Sequence, residues 1–247
     1  MNAFLKHLWV QFKMDIRERG TLLTYYIMPL IFYFIVGAVF ASVNPASKQM
    51  LTATMAIFAV TMGAILGMPA PIVKMRESGV LRAYRVCGIP GWAVLLVHAV
   101  SAFLHLLIVS LVILITAPII FGASYPVSYP AYFAVLFVLL FNGLGIGLLI
   151  GVTARNQSSA TLLSQAVFLP TMMLGGIMFP ASMLPEALRM AGYILPATYV
   201  MQSFSGLAFG LPVDMDASLS LLITAGIGMI AIVLAAVKLN KSMKASM

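Results

Sequence analysis

Charged residues are so sparse in this chain that their positions divide it. Stretches free of Asp, Glu, Lys and Arg run over 20–47, 49–73, 86–154, 156–185, 190–213 and 217–237. A helix rises about 1.5 Å per residue, so roughly 20 apolar residues cross the ~30 Å hydrocarbon layer of a bilayer. The first, second, fourth and last stretches each hold one such helix. The third holds two, with Gly122-Ala-Ser-Tyr-Pro-Val-Ser-Tyr-Pro130 as the turn between them. Only 8% of the 247 residues are charged and 62% are hydrophobic. That leaves too little polar surface for a water-facing globule and too much apolar surface for a disordered chain. The single cysteine, Cys87, excludes a disulfide framework and any multi-cysteine metal site.

The fifth stretch is broken by Gly192, Pro196, Gly206, Gly210 and Pro212 and is approached through Pro180 and Pro185. Parity decides its reading. With six spans, the N-terminal tail (Lys6, Lys13, Arg17, Arg19), the 74–90 loop (Lys74, Arg76, Arg82, Arg85), Arg155 and the C-terminal tail (Lys238, Lys241, Lys244) share one side. Only Lys48 and Arg189, of the 14 basic residues, are then left on the other. Seven spans would carry the C-terminal lysines across. The positive-inside bias therefore predicts six spans with both termini cytoplasmic. Segment 181–213 must then leave and return on the outer side as short re-entrant or surface-lying helices, because irregular backbone at membrane depth needs protein or a wet cavity over it. The expected architecture is an all-α integral membrane protein forming a single domain over 1–247. It has an interfacial helix at 2–18 and spans near 21–43, 51–73, 92–121, 131–153, 159–180 and 217–237.

Residues 1–20 lack the unbroken apolar core of a signal peptide, since the first long apolar run starts only after Asp15-Ile-Arg-Glu-Arg-Gly20. Instead Leu5, Leu8, Trp9, Phe12 and Ile16 share one face at helical spacing, with Lys6, Lys13 and Arg17 on the other. The pattern predicts an amphipathic helix lying in the inner interface against membrane lipids, with Trp9 at headgroup depth. It serves either as a plain anchor or as a lever against a cytoplasmic partner.

No G-x-x-x-x-G-K-[ST] loop occurs, so the chain is not expected to bind ATP in the P-loop manner. Gly143, Gly147 and Gly151, spaced by four inside an apolar helix, make a smooth face for close helix packing within the bundle or between subunits. His98 and His105 lie seven residues apart, on nearly one face of the third span. With no third ligand at sensible spacing, they read as hydrogen-bonded packing groups or substrate contacts and not as a metal site. Ser203-Phe-Ser205-Gly206 has the look of an intramembrane protease nucleophile, a chemistry that needs a base beside the serine. Such an intramembrane enzyme is the alternative of a different class. The spans hold no Asp, Glu, Lys or Arg, the usual mark of ion-coupled carriers. A transporter built this way needs a separate energy source, and its cargo is expected to be apolar or amphipathic.

The loop Lys74-Met-Arg-Glu-Ser-Gly-Val-Leu-Arg-Ala-Tyr-Arg-Val-Cys-Gly-Ile-Pro90 carries mixed charge, a glycine break and a terminal proline. It reads as a short polar helix held between two membrane helices where a soluble partner could grip it, or as a plain solvated loop. Within it, Glu77 can accept charge-assisted hydrogen bonds, Gly79 permits a positive φ or a close approach, and Leu81 can fill an apolar notch. Arg76, Arg82 and Pro90 complete the candidate contact surface.

The order of an amphipathic start, two spans, this loop and four more spans resembles the permease subunit of ABC type-2 transporters. The family's E-x-G-x-(L)…P loop is matched at Glu77, Gly79, Leu81 and Pro90. Gly175-Gly-Ile-Met-Phe-Pro-Ala-Ser-Met-Leu-Pro185 with Leu195-Pro-Ala-Thr-Tyr199 is similar to the family's G-x-x-F-P…L-P…P-x-T-Y region, and Gly151 to Ser159 is similar to its loop between spans 4 and 5. The family's arginine soon after P-x-T-Y is absent here. The resemblance implies a multi-pass protein of the cell membrane that pairs with a second permease copy or a homologous permease and docks on two separate ATPase subunits. Those subunits would bind ATP and Mg; this chain would hold no cofactor, catalytic residue or nucleic acid of its own. It implies export of a drug, an antibiotic or a lipid-like molecule, with polysaccharide or lipid-linked glycan export as the sibling possibility. It also makes 74–90 the ATPase-coupling loop and places Leu174, Met178 and Phe179 at an outer gate.

Overall fold

The computed structural model describes residues 3–43, 48–179 and 183–244, and every regular element among them is a helix. Helix α1 is Ala3–Arg17, and α2, Arg19–Ser42, follows after a break at Glu18. Helix α3 is Leu51–Glu77, and α4 is the short Val80–Val86. Then come α5, Gly91–Phe121, and α6, Tyr129–Thr153. Helix α7 is Gln157–Leu174, α8 Glu186–Gly192, α9 Pro196–Ser203 and α10 Ala217–Lys244.

Among the described residues five helices, namely α2, α3, α5, α6 and the Ala217–Leu239 part of α10, are long and apolar enough to cross a membrane. The chain is thus an all-α integral membrane protein. Helix α7 stands where a fifth of six spans is expected over 159–180. It has 18 residues, and Gln157, Ser158, Ser159, Thr161, Ser164 and Gln165 crowd its first three turns. This polar content sets it apart from the other five. The expected end of that span, at 180, and the start of the outer segment, at 181–182, lie outside the described residues.

Local chemistry accounts for the boundaries. Asn156 caps α7, accepting from Ser159 N at 2.8 Å while Ser159 Oγ accepts from Asn156 N at 3.0 Å. Asp216 Oδ1 accepts from Leu219 N at 2.8 Å and opens α10. The helix that holds the expected second span, 51–73, continues past it. Helix α3 runs on to Glu77, because Lys74 and Arg76 in its last turn suit the negative end of the helix dipole. Helix α5 has 31 residues, about 46 Å at 1.5 Å each, so it overreaches the hydrocarbon layer or tilts within it.

Helix α3 is the most enclosed span, with 72% of its most apolar window buried, against 22% for α2 and 28% for α10, which flank the bundle. Small residues explain how the centre closes. Gly143, Gly147 and Gly151 of α6 face Ala64, Met68, Pro69 and Ile72 of α3, and a Cβ on Gly147 would collide with the Ala64 carbonyl oxygen. The other side of α6 meets α10: a Cβ on Gly145 would sit 2.8 Å from Gly228 O, and Asn142 Nδ2 donates to Thr224 O at 2.9 Å. Two π-turns, Leu23–Ile27 in α2 and Gly63–Gly67 in α3, meet where the Tyr25 ring fills the space left by Gly67 and, with Leu106, that left by Gly63.

Candidate functional site

Two ends of the bundle carry the candidate residues. At the end bearing α1 and the basic loops, α4 is held as a step between α3 and α5. The chain enters it through Gly79 at φ 74° and leaves through Gly88 at φ 77°, conformations that side chains strain to adopt. The Gly79 carbonyl accepts from Arg82 N at 2.9 Å and Ala83 N at 3.1 Å, starting the helix. Glu77, Gly79, Arg82 and Pro90 are exposed and Leu81 is half-buried. Arg76 differs from the exposed contact that its place in the sequence suggests. Its guanidinium turns inward, donating to Val152 O at 3.2 Å and to Ala154 O, where it caps the C-terminal carbonyls of α6. Gln157 Nε2 donates to Ala70 O at 2.9 Å, so the α6–α7 turn is tied to α3 twice.

Helix α1 lies along α5 and has three faces. Leu5, Trp9 and Ile16 form an exposed apolar face, with Trp9 stacked on Phe12 (6.3 Å, 3°) and Lys13 Nζ 5.0 Å over the Trp9 ring. Lys6, Lys13 and Arg17 are exposed beside it. The third face, toward the bundle, is polar: Gln11 and Asp15 are 8% and 7% exposed. Asp15 accepts from Ser101 Oγ at 2.5 Å and from Gln11 Nε2 at 2.7 Å. His105 Nε2 stands 3.7 Å from Asp15 Oδ2, beyond hydrogen-bond length, so it acts on the carboxylate as an electrostatic neighbour. Burial by itself would raise the Asp15 carboxyl; His105, Ser101 and Gln11 outweigh it and hold the group below the ordinary carboxylate value.

The histidines therefore part company. His105, fully buried, shares a 2.6 Å hydrogen bond with Tyr26 through Nδ1 and stacks on Phe12 (4.1 Å, 8°). His98 Nε2 lies 3.1 Å from Met75 Sδ. Among the described residues no group of three His, Cys, Asp or Glu is placed to hold a metal ion. Sequence reasoning missed Asp15. Its signal was a carboxylate at the edge of an otherwise cationic and apolar helix, four residues after Gln11.

At the opposite end a chamber of about 560 Å³ opens between α2, α3, α7 and the α8–α9 segment. Leu174, Met178 and Phe179, the expected outer gate, line it together with Phe40, Met50, Met183, Met201 and Tyr193. Arg189, Gln202, Ser205 and Asp214 supply polar groups. The volume is that of a drug-sized site, and the lining is mostly apolar with a few polar groups, as such sites are. The Ser203 hydroxyl faces two main-chain acceptors, Tyr199 O at 2.9 Å and Ala217 O at 3.1 Å. The described histidines lie on other helices, with Tyr84, Met75 and Tyr26 as their neighbours.

The family model described as ABC-2 type transporter matches residues 3–209. No curated protein matches the chain.

Proposed function

The chain belongs to the ABC-2 type transporter family, as the membrane-spanning permease subunit of an ABC transporter, and from that premise we propose that it exports a compact amphipathic molecule. Permeases of this family usually work with an ATPase subunit. In this reading the chain pairs with a second permease and rests on two separate ATPase subunits that bind ATP and Mg. Helix α7 completes six spans of one permease domain, α8 and α9 form the outer-side segment, and both termini and the basic loops are cytoplasmic in the cell membrane.

One observation carries the reading: α4 is presented as an exposed step, tied by helices at both ends to the bundle. A partner that pushes on Glu77, Leu81 and Arg82 moves α3 and α5 directly. Two further features fit. Thr161, Leu162, Gln165 and Leu169 of α7 are exposed, and glutamine facing lipid is unfavourable, so this stripe suits a permease partner or a substrate path. The methionines of the chamber are soft, adaptable contacts and favour an amphipathic cargo over a glycan chain, with Leu174, Met178 and Phe179 as its outer gate.

The test is co-purification of the cognate ABC ATPase with wild-type, Glu77→Ala and Gly79→Val permease. Truncating one partner of an interfacial charge pair costs about 2–5 kcal/mol, and a side chain at the positive φ of Gly79 strains the turn by about 1–2 kcal/mol. Both variants should insert normally and lose most of the bound ATPase. Wild-type recovery in both would remove α4 as the docking step.

A further inference from the structure

A chain with only six acidic residues buries one of them, Asp15, against a membrane helix. The carboxylate is held by Ser101 at 2.5 Å and Gln11 at 2.7 Å, with His105 3.7 Å away. His105 in turn is enclosed by rings from two other segments: Phe12 of α1 at 4.1 Å, Tyr25 at 5.8 Å and Tyr26 at 5.5 Å, the last two on the π-turn of α2. Tyr25 fills the gap beside Gly67 in the π-turn of α3. Four helices thus converge on one short polar chain, Gln11–Asp15–Ser101/His105–Tyr26. Buried polar groups linked in this way act in concert, and removing one leaves its neighbours unsatisfied in a medium of low dielectric.

The flanks of α1 reach the coupling step. The His7 and Tyr84 rings lie 5.6 Å apart, with Nε2 and the hydroxyl at 3.5 Å. Just beyond the C-terminus of α1, Glu18 pairs with Lys74 at 2.8 Å. Helix α1 therefore touches α4 near its start and the end of α3 beyond its last turn, while its middle is fastened to α5. An apolar face in lipid would let the helix slide, whereas a buried carboxylate fixes its position along α5.

We infer that Asp15 is the pin that fixes α1 to α5, making α1 a strut that carries displacement of the 74–90 step into α5 and the paired π-turns of α2 and α3. Asp15 acts here as a positioning residue. The transmission part rests on the reading that an ATPase docks on the 74–90 step; the pinning of α1 does not.

The experiment uses full-length permease in lipid nanodiscs, alone and with its co-purified ATPase, in a Cys87→Ser, Asp214→Cys background. Amide exchange reports the pin. Asp15→Asn should speed exchange over 3–17 at least tenfold and leave α3 and α6 unchanged; Ser101→Ala should do so less, and Asp15→Glu should restore part of the protection. Labelling of Asp214→Cys by an impermeant thiol reagent, with and without ATP plus vanadate, reports transmission to the far chamber. With Asp15 the labelling rate should respond to ATP; with Asp15→Asn the response should shrink at least fivefold although the ATPase stays bound. Wild-type exchange over 3–17 in both Asp15→Asn and Ser101→Ala would overturn the pin. A labelling rate in Asp15→Asn that responds to ATP like the wild type, or a wild type that does not respond, would overturn the transmission role. Failure of wild-type permease to bind any ATPase would sink the docking reading instead and leave the exchange result to decide the pin.

Discussion

At the basic end, Asp15, Ser101, His105 and Tyr26 pack together across three helices, joined by the Ser101–Asp15 and Tyr26–His105 hydrogen bonds. At the opposite end, Arg189 and Asp214 border the same chamber of about 560 Å³ with no ion pair between them. Both ends draw residues from α2, α3 and a later helix, yet one is closed and the other roomy. The difference lies in what fills the gaps. Gly63, Gly67 and Gly147 let Leu106, the Tyr25 ring and the Ala64 backbone approach directly around the basic end and the middle, whereas the chamber's lining is built largely from the irregular stretches 175–179 and 212–214 and single side chains of several helices. A closed network transmits displacement, because packed groups move together. A roomy apolar chamber accommodates, because its methionines and rings can shift singly.

The sharpest way to break this contrast is to overfill the packed side. Gly147→Ala places a Cβ against the Ala64 carbonyl and the Met68 Cβ, with no flexible side-chain end to yield. It should destabilise the protein by about 3 kcal/mol, read as loss of the folded fraction during thermal unfolding in detergent. Gly226→Ala, where a Cβ meets nothing within 4 Å, serves as the counterpart and should be neutral or stabilising by up to about 1 kcal/mol. Equal effects at the two glycines would mean that α6 is not seated on α3 as described.

A milder perturbation is acid. The Asp15 carboxyl titrates below its ordinary value of 3.8 when α1 is seated. Its stabilisation is therefore complete above that ordinary value and is lost as pH falls through the lowered one. The groups facing it are His98 and His105 from α5, Tyr25 and Tyr26 from α2, Gln11 on its own helix and Glu18 just beyond. Trp9 emission in a Trp92→Phe protein should be constant from neutral pH to about 5 and change only below about 4, with the change absent in Asp15→Asn. A transition centred near neutrality would assign the switch to another group.

The smallest structural effect belongs to the chamber. Phe179→Ala removes a ring that is 44% exposed and should shift stability by no more than about 0.5 kcal/mol. Its consequence is functional: uptake of bulky amphipathic compounds into inside-out vesicles should change relative to small ones. An unaltered substrate range would take Phe179 out of the gate.

Charge-free stretches made the membrane helices legible because a bilayer leaves a spanning segment only one way to satisfy its backbone, and that demand is met residue by residue along the chain. The same reasoning found the spacing of Gly143, Gly147 and Gly151 and the glycine-broken step after α3. It did not separate α7, whose serines and glutamines matter only once its exposed stripe is seen. Nor did it show that Arg76 turns back onto Val152 and Ala154, or that α1 keeps a polar face for the bundle. Helical periodicity places Asp15 on an edge of α1; whether that edge meets water or Ser101 depends on how α1 is laid along α5, a matter of 86 residues of separation. The chamber needs residues from Val39 to Asp214 to come together. Local propensity and hydropathy decide which segments are helices and which lie in lipid; the partner of a buried charge and the shape of an empty space arise only from packing those helices against one another.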